Sequence, residues 1–342
     1  MSLPPSEIPQ GAIRFNTDSQ KLEFYAQGEW WNMVSDTPNL GVGADTTAGA
    51  RGLFGGGDNP AITSSVEYFN ISSTGNSATF GNLTASRKNL GGFSSSTRGV
   101  FVGGETFSNV MDYVTISSTG DAQNFGDLSS PTQYSDGTSN STRGLAILGY
   151  IPGPGNVDTV EYVTIASTGD SKDFGNLTEA KRASRSSSSP TRAIIGGGLN
   201  PAGVNSIDFM TISTLGDAKD FGDLTTVIWD GESCSNATRA LWAGGNTSPT
   251  STGINVIQYV TIATTGNASN FGDLTEQLGN NHACSSSTRG VWAGGTPGVS
   301  PSPKSVTISY VTLLTEGNAV DFGDLLAGRT WGTGASNAHG GL

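Results

Sequence analysis

Apolar positions in this chain come in short bursts of β-branched and aromatic residues. One burst is a hexamer written six times: VEYFNI at 66, MDYVTI at 111, VEYVTI at 160, IDFMTI at 207, IQYVTI at 257 and ISYVTL at 308. In a strand, alternate side chains point to opposite faces, so positions one and three face one way while the apolar positions four and six face the other. Both faces must then be covered, as in sheets stacked on one another; a sheet open to water on one side would alternate apolar with polar. Around the hexamer the rest of the unit reads as strands too: RGVFVGG before it, a turn at SSTG, DAQNFGDL as its hairpin partner, then a Ser- and Gly-rich stretch. Four short strands in about 45 to 50 residues is the spacing of a propeller blade.

Two anchors measure the repeat. From the hexamer aromatic (Tyr68, Tyr113, Tyr162, Phe209, Tyr259, Tyr310) to the Phe of a Phe-Gly pair (Phe80, Phe125, Phe174, Phe221, Phe271, Phe322) is twelve residues in all six copies. From that Phe to the next repeated Arg is eighteen residues, five times out of five. Only the Arg-to-aromatic interval varies, at 17, 15, 19, 17, 20 and 21 residues, so all length variation falls in one loop. The Ser-rich stretch, as in SSSTRGVFVGG at 94, is no linker, because it keeps this ruler. Nor is it a phosphate loop, since no Lys-Ser/Thr follows the glycines and the next element is a strand. Small residues suit an innermost strand crowded around an axis.

Composition narrows the partners. The chain has 342 residues, enough for one large all-β domain or two ordinary ones, with 49 glycines, 13% charged residues and a net charge of −12. Nucleic acid is excluded as a partner on that balance, because phosphate contacts need a basic face. No charged segment followed by an apolar run opens the chain, and no apolar stretch approaches the length of a membrane span. The expectation is a soluble protein without membrane insertion. Cys234 and Cys284 each lie five residues before a repeated Arg. They read as buried thiols in equivalent positions of consecutive repeats, with a disulfide between them left open.

The repeat resembles kelch repeats: an Arg, an apolar strand ending Gly-Gly (Gly56-Gly57, Gly103-Gly104, Gly197-Gly198, Gly244-Gly245, Gly294-Gly295), an aromatic strand and a closing hairpin. The third unit departs with Gly149-Tyr150, and Phe stands where kelch repeats usually carry Trp. That resemblance implies a kelch-like β-propeller over residues 38–342, with repeats at about 38–84, 85–129, 130–178, 179–225, 226–275 and 276–326 and a closing strand in 327–342. Residues 11–34, GAIRFNTDSQKLEFYAQGEWWNMV, resemble a short module of bacteriophage tail-fibre and virion proteins, and the TISSTGDAQNFGDL unit is similar to repeats in structural proteins of tailed phages, particularly those of marine cyanobacteria. Residues 1–37 are expected to supply three strands that, with the C-terminal strand, close a seventh blade. Six blades plus a separate N-terminal module is the alternative.

Candidate chemistry is sparse. His282 and His339 are the only histidines and too few for a metal centre. Asp121, Asp170 and Asp217 exchange with Asn76, Asn267 and Asn318 after a Gly, and Asp127, Asp223, Asp273 and Asp324 exchange with Asn82 and Asn176 after Phe-Gly. Such exchange fits Asx turns and not acid–base work; calcium at these turns is the one cofactor left open. The repeated Arg51, Arg98, Arg143, Arg192, Arg239 and Arg289 could form an axial anion ring, or could each donate to carbonyls of the neighbouring blade. The variable loops all lie on one face and carry the candidate binding residues Phe107, Tyr150, Asn200, Asn246 and Thr250. The function these features and resemblances imply is a non-enzymatic virion structural protein, made in the bacterial host cytoplasm and located in the phage particle, that docks other virion proteins. Recognition of a host surface polysaccharide through the loops is the alternative.

Overall fold

The computed structural model describes residues 8–16, 21–32, 50–247, 251–298 and 303–342, and these form strands and turns without a helix. Two compact units emerge, residues 1–46 and 47–342. In the first, strands Ile13–Asn16, Lys21–Ala26 and Glu29–Asn32 make a three-stranded antiparallel sheet. Its last two strands join through Gln27-Gly28, both at positive φ (54° and 85°), a two-residue turn whose twist matches that of the strands it joins.

The second unit holds six antiparallel sheets of four main strands each. Sheet I runs Thr333–Ser336, Arg51–Gly55, Ser65–Asn70, Ala78–Asn82, and sheet II runs Gly91–Ser94, Arg98–Val102, Ser108–Thr115, Gln123–Thr132. Sheets III to VI repeat this order from inner strands Asp136–Ser139, Arg185–Ser188, Glu232–Ser235 and His282–Ser285. The six inner strands pack side by side in a closed cycle.

Among the described residues the expected seventh sheet is not formed. The C-terminal strand pairs with Arg51–Gly55, aligning Thr333 with Gly55 and Ser336 with Gly52. The first repeat contributes three described strands to sheet I and takes its fourth from the far end of the chain, so one strand closes the cycle and the N-terminal strands keep to their own sheet.

Between each pair of neighbouring sheets lies one apolar core, six in all. The hexamer behaves as its pattern predicts. Val66 and Tyr68 pack in the core shared with sheet II, whereas Phe69 and Ile71 pack in the one shared with sheet VI. The hexamer's second position is buried as well, and three of its four carboxylates are neutralised in place: Asp112 by Arg87 at 2.5 Å, Asp208 by Lys181 at 3.0 Å, and Glu67 by Arg329. The fourth, Glu161, is held instead by the Ser129 and Ser171 hydroxyls. Removing a cation partner from any of the other three would strand a buried charge, a structural role sufficient to explain them.

Neighbouring sheets are also stitched together around the circumference. Each Asp or Asn that follows a turn Gly accepts, through Oδ1, the backbone N–H of the residue after Phe-Gly in the preceding sheet. The pairs are Asp121 with Asn82, Asp170 with Asp127, Asp217 with Asn176, Asn267 with Asp223, Asn318 with Asp273 and Asn76 with Asp324, all at 2.9–3.1 Å. The free exchange of Asp and Asn is thereby explained, since both carry Oδ1, though the bond reaches into the next sheet where a local Asx turn was expected.

The Phe-Gly glycine is required by the same contact. At Gly126 φ is +151° and an added Cβ would stand 2.3 Å from the Gly169 carbonyl oxygen. Gly126→Ala should therefore cost roughly 3 kcal/mol or more through backbone strain and overpacking. A chemical-denaturation curve is the check, with Asp170→Asn, which keeps the acceptor, expected within about 0.5 kcal/mol of wild type.

Candidate functional site

The six repeated arginines do not converge on the axis. Each guanidinium stacks on the aromatic of its own hexamer, at 4.5–4.8 Å from ring centroid to Cζ. Each also donates to a carbonyl at the end of the third strand of the next sheet: Arg51 to Ile116, Arg98 to Ile165, Arg143 to Ile212, Arg192 to Ile262, Arg239 to Leu313 and Arg289 to Ile71. A cation–π contact plus a charge-assisted hydrogen bond uses the planar fork fully. An anion ring is therefore not assembled, and none of these arginines lines the axial cavity.

The axis is instead sealed by short hydroxyls. The last residue of every inner strand is Ser, and each Oγ donates to the backbone carbonyl of the Ser in the preceding sheet. Ser94 reaches Ser336, Ser139 reaches Ser94, Ser188 reaches Ser139, Ser235 reaches Ser188, Ser285 reaches Ser235 and Ser336 reaches Ser285, at 2.5–2.8 Å. The cycle is complete, with one bond crossing from the last repeat to the first.

Beyond it the C-terminal tail crosses the inner-strand ends. His339 Nε2–H donates to Ser94 O at 2.9 Å while its Nδ1 accepts the Gly341 N–H at 3.1 Å, which sets the tautomer. Gly341 lies so close to the Ser139 carbonyl that any side chain there would collide with it. His339 thus belongs to the tail, one step outside the inner-strand layer where it was expected. Inside remains a cavity of about 60 Å³ lined by three residues of each inner strand and by His339, with the small residues Gly92, Gly137, Ser186, Ser233, Ala283 and Gly334 among them. Space of that order holds a few waters at most.

At the other end of the inner strands the repeat breaks. The first inner-strand position is Gly91, Asp136, Arg185, Glu232, His282 and Thr333 in sheets II to VI and I respectively. Arg185 meets Glu232 at 3.0 Å and Asp230 at 3.4 Å, and Ser186 donates through both N–H and Oγ to Asp136, at 2.5 and 2.7 Å. Burial pushes the Asp136, Asp230 and Glu232 carboxyls upward, Glu232 furthest, despite the pull of Arg185. Burial opposes the Arg185 charge as well, but Glu232, Asp136 and Asp230 outweigh it. His282, buried beside this group and 5.8 Å from the Phe54 ring, is pushed down to about 3, chiefly by burial and then by Arg329.

The variable loops gather above this layer. Phe107, 38% exposed, and its neighbour Thr106 hold positive φ (58° and 76°), and the Phe107 ring stands 6.2 Å from that of Tyr150. Arg182 then sits between Tyr150 and Tyr134, at 5.5 and 5.6 Å from their rings, and donates to Asn156 Oδ1 at 3.0 Å. Burial raises the Tyr134 hydroxyl, with Asp230 and Glu105 adding to the effect. Farther round, Lys88 lies 4.7 Å from the Trp331 ring and bridges Glu105 and Asp58.

Of the residues singled out in the sequence, Phe107 and Tyr150 come together here. Asn200 is exposed and bonds Glu179, Asn246 bonds Asn280, and Thr250 lies outside the described residues. Tyr134, Arg182, Lys88 and Trp331 were missed. A signal was present for two of them: nine residues after each Phe stand Asn89, Tyr134, Ala183, Asp230, Asn280 and Trp331, a varied column in a stretch that does not repeat, and all six take positive φ; Lys88 and Arg182 stand one residue earlier in their units.

Cys234 and Cys284 are free and buried. No group of three or more His, Cys, Asp or Glu that could hold a metal ion occurs among the described residues, and the Gly-Asx oxygens considered for calcium are spread one per sheet, each engaged by a backbone N–H. No protein-family model and no curated protein matches this chain.

Proposed function

We propose that residues 50–342 form a six-bladed, kelch-like β-propeller, and that the protein is a non-enzymatic component of a tailed-phage particle that docks other virion proteins through its variable-loop face. The observation carrying this reading is a division of labour. The Arg, Ser, Asx and Phe-Gly positions of the repeat are consumed in joining sheet to sheet, while the loop face of residues 50–342 gathers half-exposed aromatic and charged side chains that vary from sheet to sheet. Placement in a phage particle rests on the resemblance of residues 11–34 to tail-fibre modules and of the repeat to phage structural proteins. Against catalysis, the one axial group of carboxylates is buried and committed to Arg185 and Ser186.

A second reading, recognition of a surface glycan, draws on the row Phe107, Tyr150, Arg182 and Tyr134, because aromatic faces beside a fixed guanidinium suit pyranose stacking. Mass spectrometry of purified particles should find the chain at a fixed stoichiometry with other virion proteins. The double variant Phe107→Ala/Tyr150→Ala should melt within about 2 °C of wild type yet be incorporated at least about tenfold less, the effect of losing a pair of interface anchors. Unchanged incorporation alongside lost binding on a glycan array would replace docking with glycan recognition. Particles that lack the chain would remove both readings.

A further inference from the structure

The N-terminal sheet wears its apolar residues on the outside. Ile13, Phe24 and Trp31 are direct cross-strand partners, and Phe15 lies two residues along from Ile13, so all four share one face. They are 61%, 36%, 49% and 59% exposed in that order. The opposite face carries the charged groups: Arg14, itself exposed, pairs with Glu23 at 2.8 Å and lies 4.1 Å from the Trp30 ring, while Tyr25 and Glu23 are buried. A face of four apolar side chains is thus left open while Glu23 behind it is buried, the reverse of what a finished monomer needs.

We propose that this face is a self-association surface, on which the N-terminal sheets of two or more copies of this chain pack together through Ile13, Phe15, Phe24 and Trp31. The occupant follows from charge, edges and area. Chains carrying −12 repel one another over most of their surface, whereas these four side chains present no charge to a like face. Among the described residues, the outer strands Ile13–Asn16 and Glu29–Asn32 each have one partner in the sheet, so a neighbouring copy could extend the other edge of each. At about 150–250 Å² for an aromatic side chain, these exposures leave roughly 300–450 Å² open, a patch of the size monomers seldom carry without use. Two such faces together fall short of the ~1,200 Å² of a stable pair, and edge-strand pairing between copies supplies the remainder. The inference uses no residue of the loop face and stands independently of the docking role.

The experiment is sedimentation velocity on the full chain at micromolar concentration. The expected result is a discrete oligomer for wild type and a monomer for Phe15→Glu/Phe24→Glu, with the main thermal transition unmoved, because residues 47–342 are a separate unit. Ile13→Cys gives a second reading that does not depend on the double variant's folding: mild oxidation should yield inter-chain disulfides, while Leu215→Cys, exposed on the other unit, should not. The native thiols are buried and do not compete. A monomeric wild type overturns the proposal, as does a double variant that assembles like wild type or an Ile13→Cys chain that resists cross-linking.

Discussion

A chain ending at Trp331 or Gly332 is expected to lose cooperative folding of residues 47–342 altogether. That truncation removes the inner strand of sheet I and both Ser336 links of the hydroxyl cycle, to Ser285 and from Ser94. It also removes the Asn337 Oδ1 that accepts the Arg51 N–H at 2.7 Å and the Ala335 side chain packed with Leu53 and Phe101. What remains is a six-sheet ring with one three-stranded sheet and an exposed strand edge, its first and last cores open to water. The combined loss is comparable with the whole stability of a domain, about 5–15 kcal/mol. By contrast, Ser336→Ala deletes one donor and should cost about 1–3 kcal/mol, mainly the Ser285 carbonyl left without its partner. Circular dichroism melts read both: no transition and poor solubility for the truncation, a lowered but cooperative transition for Ser336→Ala. A truncated chain that melts within a few degrees of wild type would show that the closing strand is dispensable.

Stability should also fall on both sides of a weakly acidic maximum, for two separable reasons lodged in the axial layer. His282 titrates at about 3 in the folded protein against 6.5 for the free side chain. Below pH 6.5 the unfolded chain takes up a proton that the folded one refuses, so stability drops by about 1.4 kcal/mol per pH unit, reaching about 5 kcal/mol near pH 3. His339, pushed down to about 4 by its enclosure and helped back only by its bond to Ser94, adds in the same direction. Glu232 works oppositely. Burial holds its folded carboxyl well above the ordinary 4.5. Its contribution is complete below 4.5 and is lost as pH rises towards the folded value, because the unfolded chain releases the proton first. Asp136 and Asp230, both raised, lean the same way.

Between about 4.5 and 6.5 the two trends oppose each other, which places the maximum there. Urea-unfolding free energies across pH should show His282→Asn flattening the acid limb and Glu232→Gln flattening the limb above 4.5. Parallel curves for wild type and both variants would mean that neither group titrates as the axial packing requires. Arg185→Met should be worse than either at neutral pH, by about 3–5 kcal/mol, since Asp230 and Glu232 lose their ion-pair partner and Asp136 its nearby positive charge.

How much of this was legible beforehand varied with the kind of contact. The hexamer's two apolar faces, the invariant intervals and the single variable loop are local patterns, and they led directly to strands, stacked sheets and a loop face. Contacts between sheets were harder, because a repeat displays one partner and hides the other in the next copy. Asp and Asn after the turn Gly looked like local capping until the neighbouring backbone N–H came into view. Ser94 and its five equivalents, fourteen residues after each Phe, are invariant within the chain. Nothing in the sequence says that each reaches a carbonyl one sheet away.

Closure was misjudged for a related reason. Three N-terminal strands and one C-terminal strand add up to a plausible sheet, but Thr333–Ser336 aligns with Arg51–Gly55 through the same inner-strand register as every other sheet. The axial group around Arg185 was missed because a search for motifs looks for what repeats, and the first inner-strand position differs in all six sheets. The loop-face aromatics split between the two cases: Phe107 and Tyr150 belong to the variable loops, while Tyr134 and Arg182 lie in the connection leading to the inner strands.

The most direct test of the account is cryo-electron microscopy of the intact particle at side-chain resolution. The account predicts six sheets around a sealed axis, with the face bearing Phe107, Tyr150 and Arg182 buried against another virion protein. A chain held only through the opposite face, where the Ser-Ser-Thr turns and the C-terminal tail lie, with the aromatic row bare and unliganded, would contradict it.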